Sequence, residues 1–196
     1  MNRISQITRR TKETTIEVKL NIDGTGNYEI KTPIGFLNHM LELLAKHGLF
    51  DLYIKATGDI NVDEHHTVED VGIVLGQTFL QSLGDKRGIK RYGFFILPMD
   101  EALANVAVDL SGRNSFKLDC AFTREKVGDL PTELVYDFWN AFTQNAKVNL
   151  FIKVENWRND HHKIEAIFKA CARAIRAACE IDKRAINMIP STKGRL

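Results

Sequence analysis

His161-His162-x-x-Glu165 repeats, in residue type and spacing, the earlier motif His65-His66-x-x-Glu69. The chain holds six histidines in 196 residues, so four of them lie in two copies of one pattern. On a helix, a glutamate three and four positions after two histidines lies in the same turn, so all three side chains can project together. The two motifs therefore predict two helices that begin alike, and a fold made of two similar halves.

The duplication extends over most of the chain. Residues 52–55 align with residues 150–153, and the helical stretch 36–48 aligns with 134–146. Apolar residues at every second position, which predict strands with one buried face, also align. These positions are Ile16, Val18, Leu20 and Ile22 in the first half and Ala104, Val106, Val108 and Leu110 in the second. Each half thus reads as strand, turn, strand, helix, strand, connection, helix, which predicts a duplicated α+β unit.

The length of the chain suits one moderately large domain or two small ones. The repeat favours two half-repeats, residues 1–92 and 93–196, that share a core and form one compact unit. Apolar faces on the helices after both motifs predict packing on sheets, and the second helix carries alanines that allow close helix approach. No low-complexity linker separates the halves, and residues 123–131 are the expected excursion between a strand and a helix.

The residue types of both motifs favour a metal site. Imidazole nitrogen and carboxylate oxygen together suit Mn, Fe or Zn, and no cysteine lies near either motif to supply a thiolate. A single copy would more often cap a helix or face solvent, but two copies favour metal ligands.

The repeat adds one ligand candidate to each motif, because His39 aligns with Asp137. If His39 is a metal ligand, Asp137 is its counterpart and could supply an oxygen. The alternatives are a polar residue on an apolar helix for His39 and a solvated charge for Asp137.

Charge and hydropathy exclude two classes of partner. The 27 basic and 25 acidic residues leave a net charge of +2, and the basic residues are dispersed, so the sequence does not indicate a nucleic-acid-binding protein. No apolar run approaches the roughly 18 residues of a transmembrane helix, and the N-terminal segment is too polar for a secretory signal. We expect a cytoplasmic protein that binds neither nucleic acid nor membrane.

Further motifs occur in order over almost the whole chain. They are Thr11-Lys12-Glu13-Thr14, Phe36-Leu37-x-His39-Met40, Asp63-x-His65-His66-Thr67-x-Glu69-Asp70, Met99-Asp100-Glu101-Ala102, Ser111-Gly112-Arg113, His161-His162-x-x-Glu165-Ala166-x-Phe168-Lys169 and Pro190-Ser191-Thr192-Lys193-Gly194. Their combination resembles the imidazoleglycerol-phosphate dehydratases. The resemblance implies a lyase of histidine biosynthesis that dehydrates D-erythro-imidazole glycerol phosphate to imidazole acetol phosphate. It also implies two Mn²⁺ ions per active site, for which Zn or Fe could substitute.

The resemblance further implies how the metal ligands act. Both His-His-x-x-Glu motifs would contribute to both ions, with His39 and Asp137 adding one ligand each. Cations on the two ring nitrogens of the substrate favour its imidazolate form and prepare the loss of the C2 proton and the C3 hydroxyl. Glu13 resembles the acid/base carboxylate, and it joins His65 and His161 as the catalytic residues. Its alternative is an exposed charge at a strand start, while Asp100 and Glu101 would support the site.

A phosphate-binding group is implied as well, because cationic donors and hydroxyls can converge on one dianion. Its members are Arg91, Arg113, Lys169, Ser191 and Lys193, with Glu13, His47 and Thr192 also implied in substrate binding. Each residue alone would more often be a solvated surface residue. Their scatter along the chain suggests that neighbouring subunits complete the pocket.

The implied fold is related to domain 2 of ribosomal protein S5, with helices packed against four-stranded sheets. The implied assembly is a trimer that metal builds into a closed particle of about 24 subunits. Two positions depart from the family pattern: Asp137 and Phe151 stand where histidine is common. Two other functions stay open at this point, a metal-dependent hydrolase of a phosphorylated small molecule and a metal-binding structural oligomer.

Overall fold

A computed structural model describes residues 3–155 and 158–196, and these residues form two four-stranded sheets, one short hairpin and four helices. The first half contains β1 (Ile4–Arg10), β2 (Thr14–Asn21), β3 (Tyr28–Lys31), α1 (Gly35–Gly48), β4 (Asp51–Gly58) and α2 (His65–Leu83). The second half contains β5 (Tyr92–Met99), β6 (Ala102–Asp109), β7 (Ser115–Asp119), β8 (Lys126–Val127), β9 (Leu130–Pro131), α3 (Leu134–Ala146), β10 (Asn149–Glu155) and α4 (Asp160–Cys179).

The two sheets have the same topology. The strand order is β1-β2-β4-β3 in the first sheet and β5-β6-β10-β7 in the second. In both, the pair at the end of this order is parallel and the other pairs are antiparallel. The register is also repeated, since Val18 lies opposite Ile54 and its counterpart Val106 lies opposite Ile152. The structure therefore confirms the duplication read from the sequence.

The helices lie between the two sheets. Helix α2 packs on β1 and β2, helix α4 packs on β5 and β6, and the halves meet through α1 against α4 and α2 against α3. All eight alternating apolar residues predicted from the sequence are buried at this core. The predicted fold class, a duplicated α+β unit with helices against four-stranded sheets, is confirmed. The division at residues 92 and 93 stays a prediction, although β5 does begin at Tyr92.

Small residues bring the halves close together. A Cβ atom added to Gly72 or Gly76 of α2 would lie 2.6 Å or 2.5 Å from a backbone oxygen of α3. On α4, the alanines expected to permit close approach are largely buried, and Ala170, Ala172 and Ala174 are fully so. These small residues allow close packing between the halves, where α2 meets α3 and α4 meets α1.

The outer faces of the two sheets differ. The second sheet exposes Phe94 (76 %) and Ile96 (61 %), together with Tyr92 and Phe151. The aligned positions in the first sheet are Gln6, Thr8, Ile4 and Tyr53, and Glu17 and Lys19 stand where the second sheet has Asn105 and Ala107. The second sheet thus presents a more apolar outer surface than the first. In the described ranges, no helix is both long and apolar enough to cross a membrane.

Candidate active site

One imidazole and carboxylate cluster joins the two halves at the starts of α1 and α4. His39 Nε2 lies 2.9 Å from Glu165 Oε1, and His161 Nε2 lies 3.1 Å from the same oxygen. The Phe36 ring packs edge-on against His161 with centroids 5.1 Å apart. We call His39, His161 and Glu165 the closed set, because their ligand atoms lie within 4.8 Å of one another.

Glu165 is the buried centre of the closed set. Its second oxygen accepts a hydrogen bond from Lys169, which lies next to it on α4 and 3.3 Å from Met99 Sδ. Burial raises the pKa of Glu165, but hydrogen bonds from Lys169, His39 and His161 outweigh burial and lower the pKa to about 2. The carboxylate is therefore charged and available as an oxygen ligand at neutral pH.

The other motif forms a looser cluster between α2 and α3. His65 Nε2 lies 4.0 Å from Glu69 Oε2, and His65 Nδ1 lies 3.9 Å from Asp137 Oδ2. We call His65, Glu69 and Asp137 the open set. It is the repeat counterpart of the closed set, and again one residue comes from the opposite half. The structure thus places Asp137 beside His65, as the alignment of Asp137 with His39 predicts.

The ring of the second histidine in each motif is nearly perpendicular to the ring of the first. His65 and His66 have an interplanar angle of 84°, and His161 and His162 one of 85°. The sequence predicted that the three side chains can project from one turn, and in the structure the glutamate lies near the first histidine of its motif, at 4.0 Å in the first motif and 3.1 Å in the second.

His66 and His162 lie near other carboxylates: Asp59 follows β4, Glu13 precedes β2, and Asp100 and Glu101 precede β6. His66 Nδ1 lies 3.1 Å from Asp59 Oδ2 and 4.0 Å from Glu13 Oε2. His162 Nδ1 lies 2.8 Å from Glu101 Oε2, and its Nε2 lies 3.3 Å from Asp100 Oδ2. A hydrogen bond with Asp59 raises the pKa of His66.

The donor set fits the metal ions expected from the sequence. Two ligands about 2.1 Å from one ion and at right angles are about 3 Å apart. The two nitrogen–oxygen separations of the closed set, 2.9 and 3.1 Å, match that spacing. The donors are imidazole and carboxylate groups only, a combination that suits Mn, Fe or Zn.

A cationic cavity of about 440 Å³ lies at the opposite end of β5 and β6. Its walls include four members of the expected phosphate-binding group, together with Thr192, Ser111 and Arg195. The four are Arg91, Arg113, Ser191 and Lys193. Residues far apart in sequence thus line one concave, positively charged surface.

Arg91 is fixed at the edge of this cavity. Its Nε and Nη2 donate to the two oxygens of Asp109 at 2.7 and 3.1 Å, and its Nη1 donates to the Pro190 carbonyl at 2.9 Å. The hydrogen bonds to Asp109 raise the pKa of Arg91. Arg91 therefore ties the segment that carries Ser191 and Lys193 to the end of the second sheet.

The other implied substrate-binding residues lie elsewhere. Lys169 contacts Glu165 in the closed set, and Glu13 is near His66. His47 is in the last turn of α1, where burial and the charges of Lys169 and Arg173 lower its pKa. Within one chain, the residues expected to bind phosphate therefore lie in two places, the cationic cavity and the surroundings of the closed set.

Comparison with known proteins shows the family to which this chain belongs. Residues 32–175 match the family model described as imidazoleglycerol-phosphate dehydratase. A protein of that name from Koribacter versatilis is 55% identical over 194 residues, covering 99% of this chain and 100% of the relative. Another, from Clostridium botulinum (strain Alaska E43 / Type E3), is 52% identical over 195 residues, covering 100% of this chain and 99% of the relative. The chain belongs to the imidazoleglycerol-phosphate dehydratase family.

Solved structures of this family agree. The crystal structure of imidazoleglycerol-phosphate dehydratase from Staphylococcus aureus subsp. aureus N315 matches with a TM-score of 0.83 and 41% identity, covering 91% of this chain and 99% of that one. The enzyme from Pyrococcus furiosus, solved in complex with (S)-C348, matches with a TM-score of 0.77 and 32% identity, covering 97% and 100%. The chain is thus an enzyme, a hydro-lyase, and the family supports a dehydratase of histidine biosynthesis.

Some residues of this dehydratase-family site were not found by sequence reasoning. Asp59 contacts His66, and its only signal is an acidic side chain in the connection before the motif. Arg195 lines the cationic cavity, and its only signal is its position near Lys193. Neither belongs to the repeat or to the sequence motifs by which the other residues were selected.

Proposed function

We propose that this chain dehydrates D-erythro-imidazole glycerol phosphate to imidazole acetol phosphate with the help of two Mn²⁺ ions. The observation that carries this proposal is the closed set, in which His39 from one half meets His161 and Glu165 from the other. The open set repeats this arrangement with the halves exchanged. A duplicated ligand set of this kind suits two ions on either side of one nearly symmetric ring.

The two sets, with His66 and His162 as additional imidazole ligands, would hold the ions, and Zn or Fe could substitute for Mn. When bound, two cations on the ring nitrogens favour the imidazolate form of the substrate. His65 and His161 would act as catalytic residues by holding the ions against which the ring binds. Asp137 would give an oxygen ligand at the position that aligns with His39 in the repeat.

Glu13 is suited to proton transfer. Its carboxylate is over half exposed, and one oxygen lies 4.0 Å from His66 Nδ1. A carboxylate near the ring-binding groups but open to solvent can exchange a proton with a carbon or hydroxyl group of the bound substrate. Asp100 and Glu101, beside His162, would play a supporting part by orienting that imidazole.

The phosphate would bind in the cationic cavity. Arg113 and Lys193 supply charge, and Ser191 and Thr192 supply hydroxyl groups, so several donors can converge on one dianion. Arg91 adds charge and holds the wall of the cavity through Asp109 and Pro190. Lys169 and His47, which lie on the side of the closed set, would bind the substrate near the metal ions.

The metal sets and the cationic cavity of one chain are too far apart to bind the same substrate molecule. His162 contacts Glu101 just before β6, and Arg91 contacts Asp109 at the end of β6. At about 3.3 Å per residue, this strand separates the two contacts by about 26 Å. A ring, three carbons and a phosphate extend about 10 Å at standard bond lengths. We therefore propose that the cavity of a second copy completes the site.

We further propose that the chain self-associates, as a trimer and as a closed particle of about 24 subunits, and this geometry supports that proposal. The exposed Phe94, Ile96 and Phe151 on the second sheet support it, because contiguous apolar surface of this kind marks association sites. Asn105 Nδ2 is buried and has no hydrogen-bond partner among residues 3–155 and 158–196. The cytoplasmic location and the absence of nucleic-acid and membrane partners stay predictions.

The proposal is tested by incubating the Mn-loaded protein with imidazole glycerol phosphate and following the ketone product. We expect formation of imidazole acetol phosphate without release of phosphate. Release of phosphate would favour the hydrolase alternative. Full metal occupancy with no product would defeat the dehydratase proposal. Unchanged behaviour of Arg113→Ala and Lys193→Ala would favour a structural metal-binding oligomer.

A further inference from the structure

The connection between β7 and α3 has no counterpart in the first half. There, residues 32–34 alone join β3 to α1, whereas residues 120–133 join β7 to α3 and form the β8–β9 hairpin. We call residues 120–133 the hairpin segment. The hairpin segment is therefore a feature of the second half that the duplicated βα unit does not contain.

One end of the hairpin segment is anchored beside the closed set. Asp160, which precedes His161, is fully buried, and its Oδ2 accepts hydrogen bonds from the backbone N–H groups of Thr123 and Arg124, both at 2.8 Å. Its Oδ1 accepts from Lys163 Nζ at 2.6 Å, and that ammonium group is also buried. The segment therefore starts from a fixed point at the beginning of α4.

The tip of the hairpin segment reaches the first half. Asp129 accepts hydrogen bonds from the backbone N–H groups of Gly35 at 2.6 Å and Phe36 at 2.9 Å, while Ile34, at the N-cap position, provides no side-chain bond. Gly128 turns the tip with a φ of 59°, a left-handed value that favours glycine. A Cβ atom on Gly128 would lie 3.2 Å from Phe36 Cβ. The start of α1 is thus capped by a residue from the opposite half.

The remaining contacts of the hairpin segment also lead to helix starts. Lys126 Nζ lies 2.9 Å from Glu64 Oε1, immediately before α2. Thr132 accepts a hydrogen bond from Val135 in the first turn of α3. The segment is therefore joined to the beginning of every helix that carries a proposed metal ligand.

We propose that Asp129 is a positioning residue for the closed set. By holding the first N–H groups of α1, it fixes the place of the helix that carries His39 relative to His161 and Glu165 on α4. Phe36, whose N–H bonds to Asp129 and whose ring packs on His161, links the same two helices from the side. This inference rests on the proposed role of the closed set as a metal site. It concerns how the ligands of the closed set are aligned and does not depend on which reaction the enzyme catalyses.

The test compares Asp129→Ala with Asp51→Ala. Asp51 is a matched control, since its carboxylate also accepts two backbone N–H bonds, from Thr25 at 2.9 Å and Asn27 at 3.0 Å, but lies beyond the other end of α1. Metal-free proteins are titrated with Mn²⁺ without substrate, and their thermal midpoints are recorded. We expect the thermal midpoint to fall by a similar amount in Asp129→Ala and Asp51→Ala. Only Asp129→Ala should bind Mn²⁺ about tenfold more weakly at its tighter site, as when a residue that orients a ligand is lost.

Equal affinity loss in both variants, or none in Asp129→Ala, would overturn the proposal. Asp129→Asn keeps one acceptor and should bind Mn²⁺ with intermediate affinity, so it tests the same point if the alanine variant does not fold. Wild-type affinity in Asp129→Asn together with a normal midpoint would also count against it. Because no substrate is present, a failed dehydratase assay and a failed positioning role are separate results. A wild-type protein without Mn²⁺ binding would remove both the metal site and its positioning residue.

Discussion

The closed and open sets come from one duplicated pattern but differ in how tightly their members meet. Glu165 contacts His39 and His161 at 2.9 and 3.1 Å, whereas His65 is 4.0 Å from Glu69 and 3.9 Å from Asp137. In the closed set, the glutamate is buried and fixed by Lys169. In the open set, the residue from the opposite half is an aspartate, whose side chain is shorter than that of histidine. Duplication places the ligands, and local packing decides how closely they approach.

The largest difference should come from the two glutamates. Glu165→Gln replaces a charged acceptor of three hydrogen bonds, so we expect the free energy of unfolding to fall by about 2 kcal/mol. Mn²⁺ affinity should fall at least about a hundredfold. Glu69→Gln changes a side chain that is 46% exposed, so it should weaken Mn²⁺ binding with a change in stability below about 0.5 kcal/mol.

Chemical denaturation and Mn²⁺ titration of both variants measure these effects. Equal losses of stability in the two variants would mean that the closed and open sets are equally well packed, which contradicts the comparison.

Asp137 tests the open set more narrowly. Asp137→Ala removes the residue from the opposite half, so metal occupancy and turnover should fall together, by about tenfold or more. Asp137→His restores the residue type of His39 and should keep occupancy close to that of the wild type. Metal analysis measures the occupancy of both variants, and the dehydratase assay measures their turnover. Unchanged occupancy in Asp137→Ala would remove Asp137 from the ligand set.

A mixing experiment separates the metal end from the phosphate end. Arg113→Ala should lose phosphate binding and His39→Ala should lose one metal ligand, so each variant alone should be nearly inactive. Because the two ends are about 26 Å apart in one chain, copies of the two variants can build some sites with neither defect. The variants are dissociated by metal removal, mixed, and reassembled with Mn²⁺. Turnover should then exceed that of either variant alone, and no gain would place each complete site within one chain.

Much of the fold was predictable, because a duplicated sequence with aligned alternation leaves few topologies. Ile16 and Val18 are buried opposite β4 as their spacing implies, and their counterparts Ala104 and Val106 are buried opposite β10. The excursion expected at residues 123–131 is the β8–β9 hairpin. These features depend on local periodicity, which a single sequence displays directly.

The candidate site was predictable in its members but only partly in its arrangement. The repeat paired His39 with Asp137, and the structure places each beside the motif of the opposite half. The cap from Asp129 to Gly35 spans 94 positions and follows no periodic pattern, so it could not be predicted from local spacing. The separation of Lys169 from Arg113 is likewise set by the length of the strands between them, a tertiary property.

The number of Mn²⁺ ions bound per chain tests the central claim, that duplication builds two metal sets from both halves, most directly. Metal-free protein is titrated with Mn²⁺ and the bound metal is measured after separation. We predict two ions per chain, with one lost in His39→Ala and the other lost in Asp137→Ala. One ion per chain in the wild type, or loss of the same ion in both variants, would contradict the account.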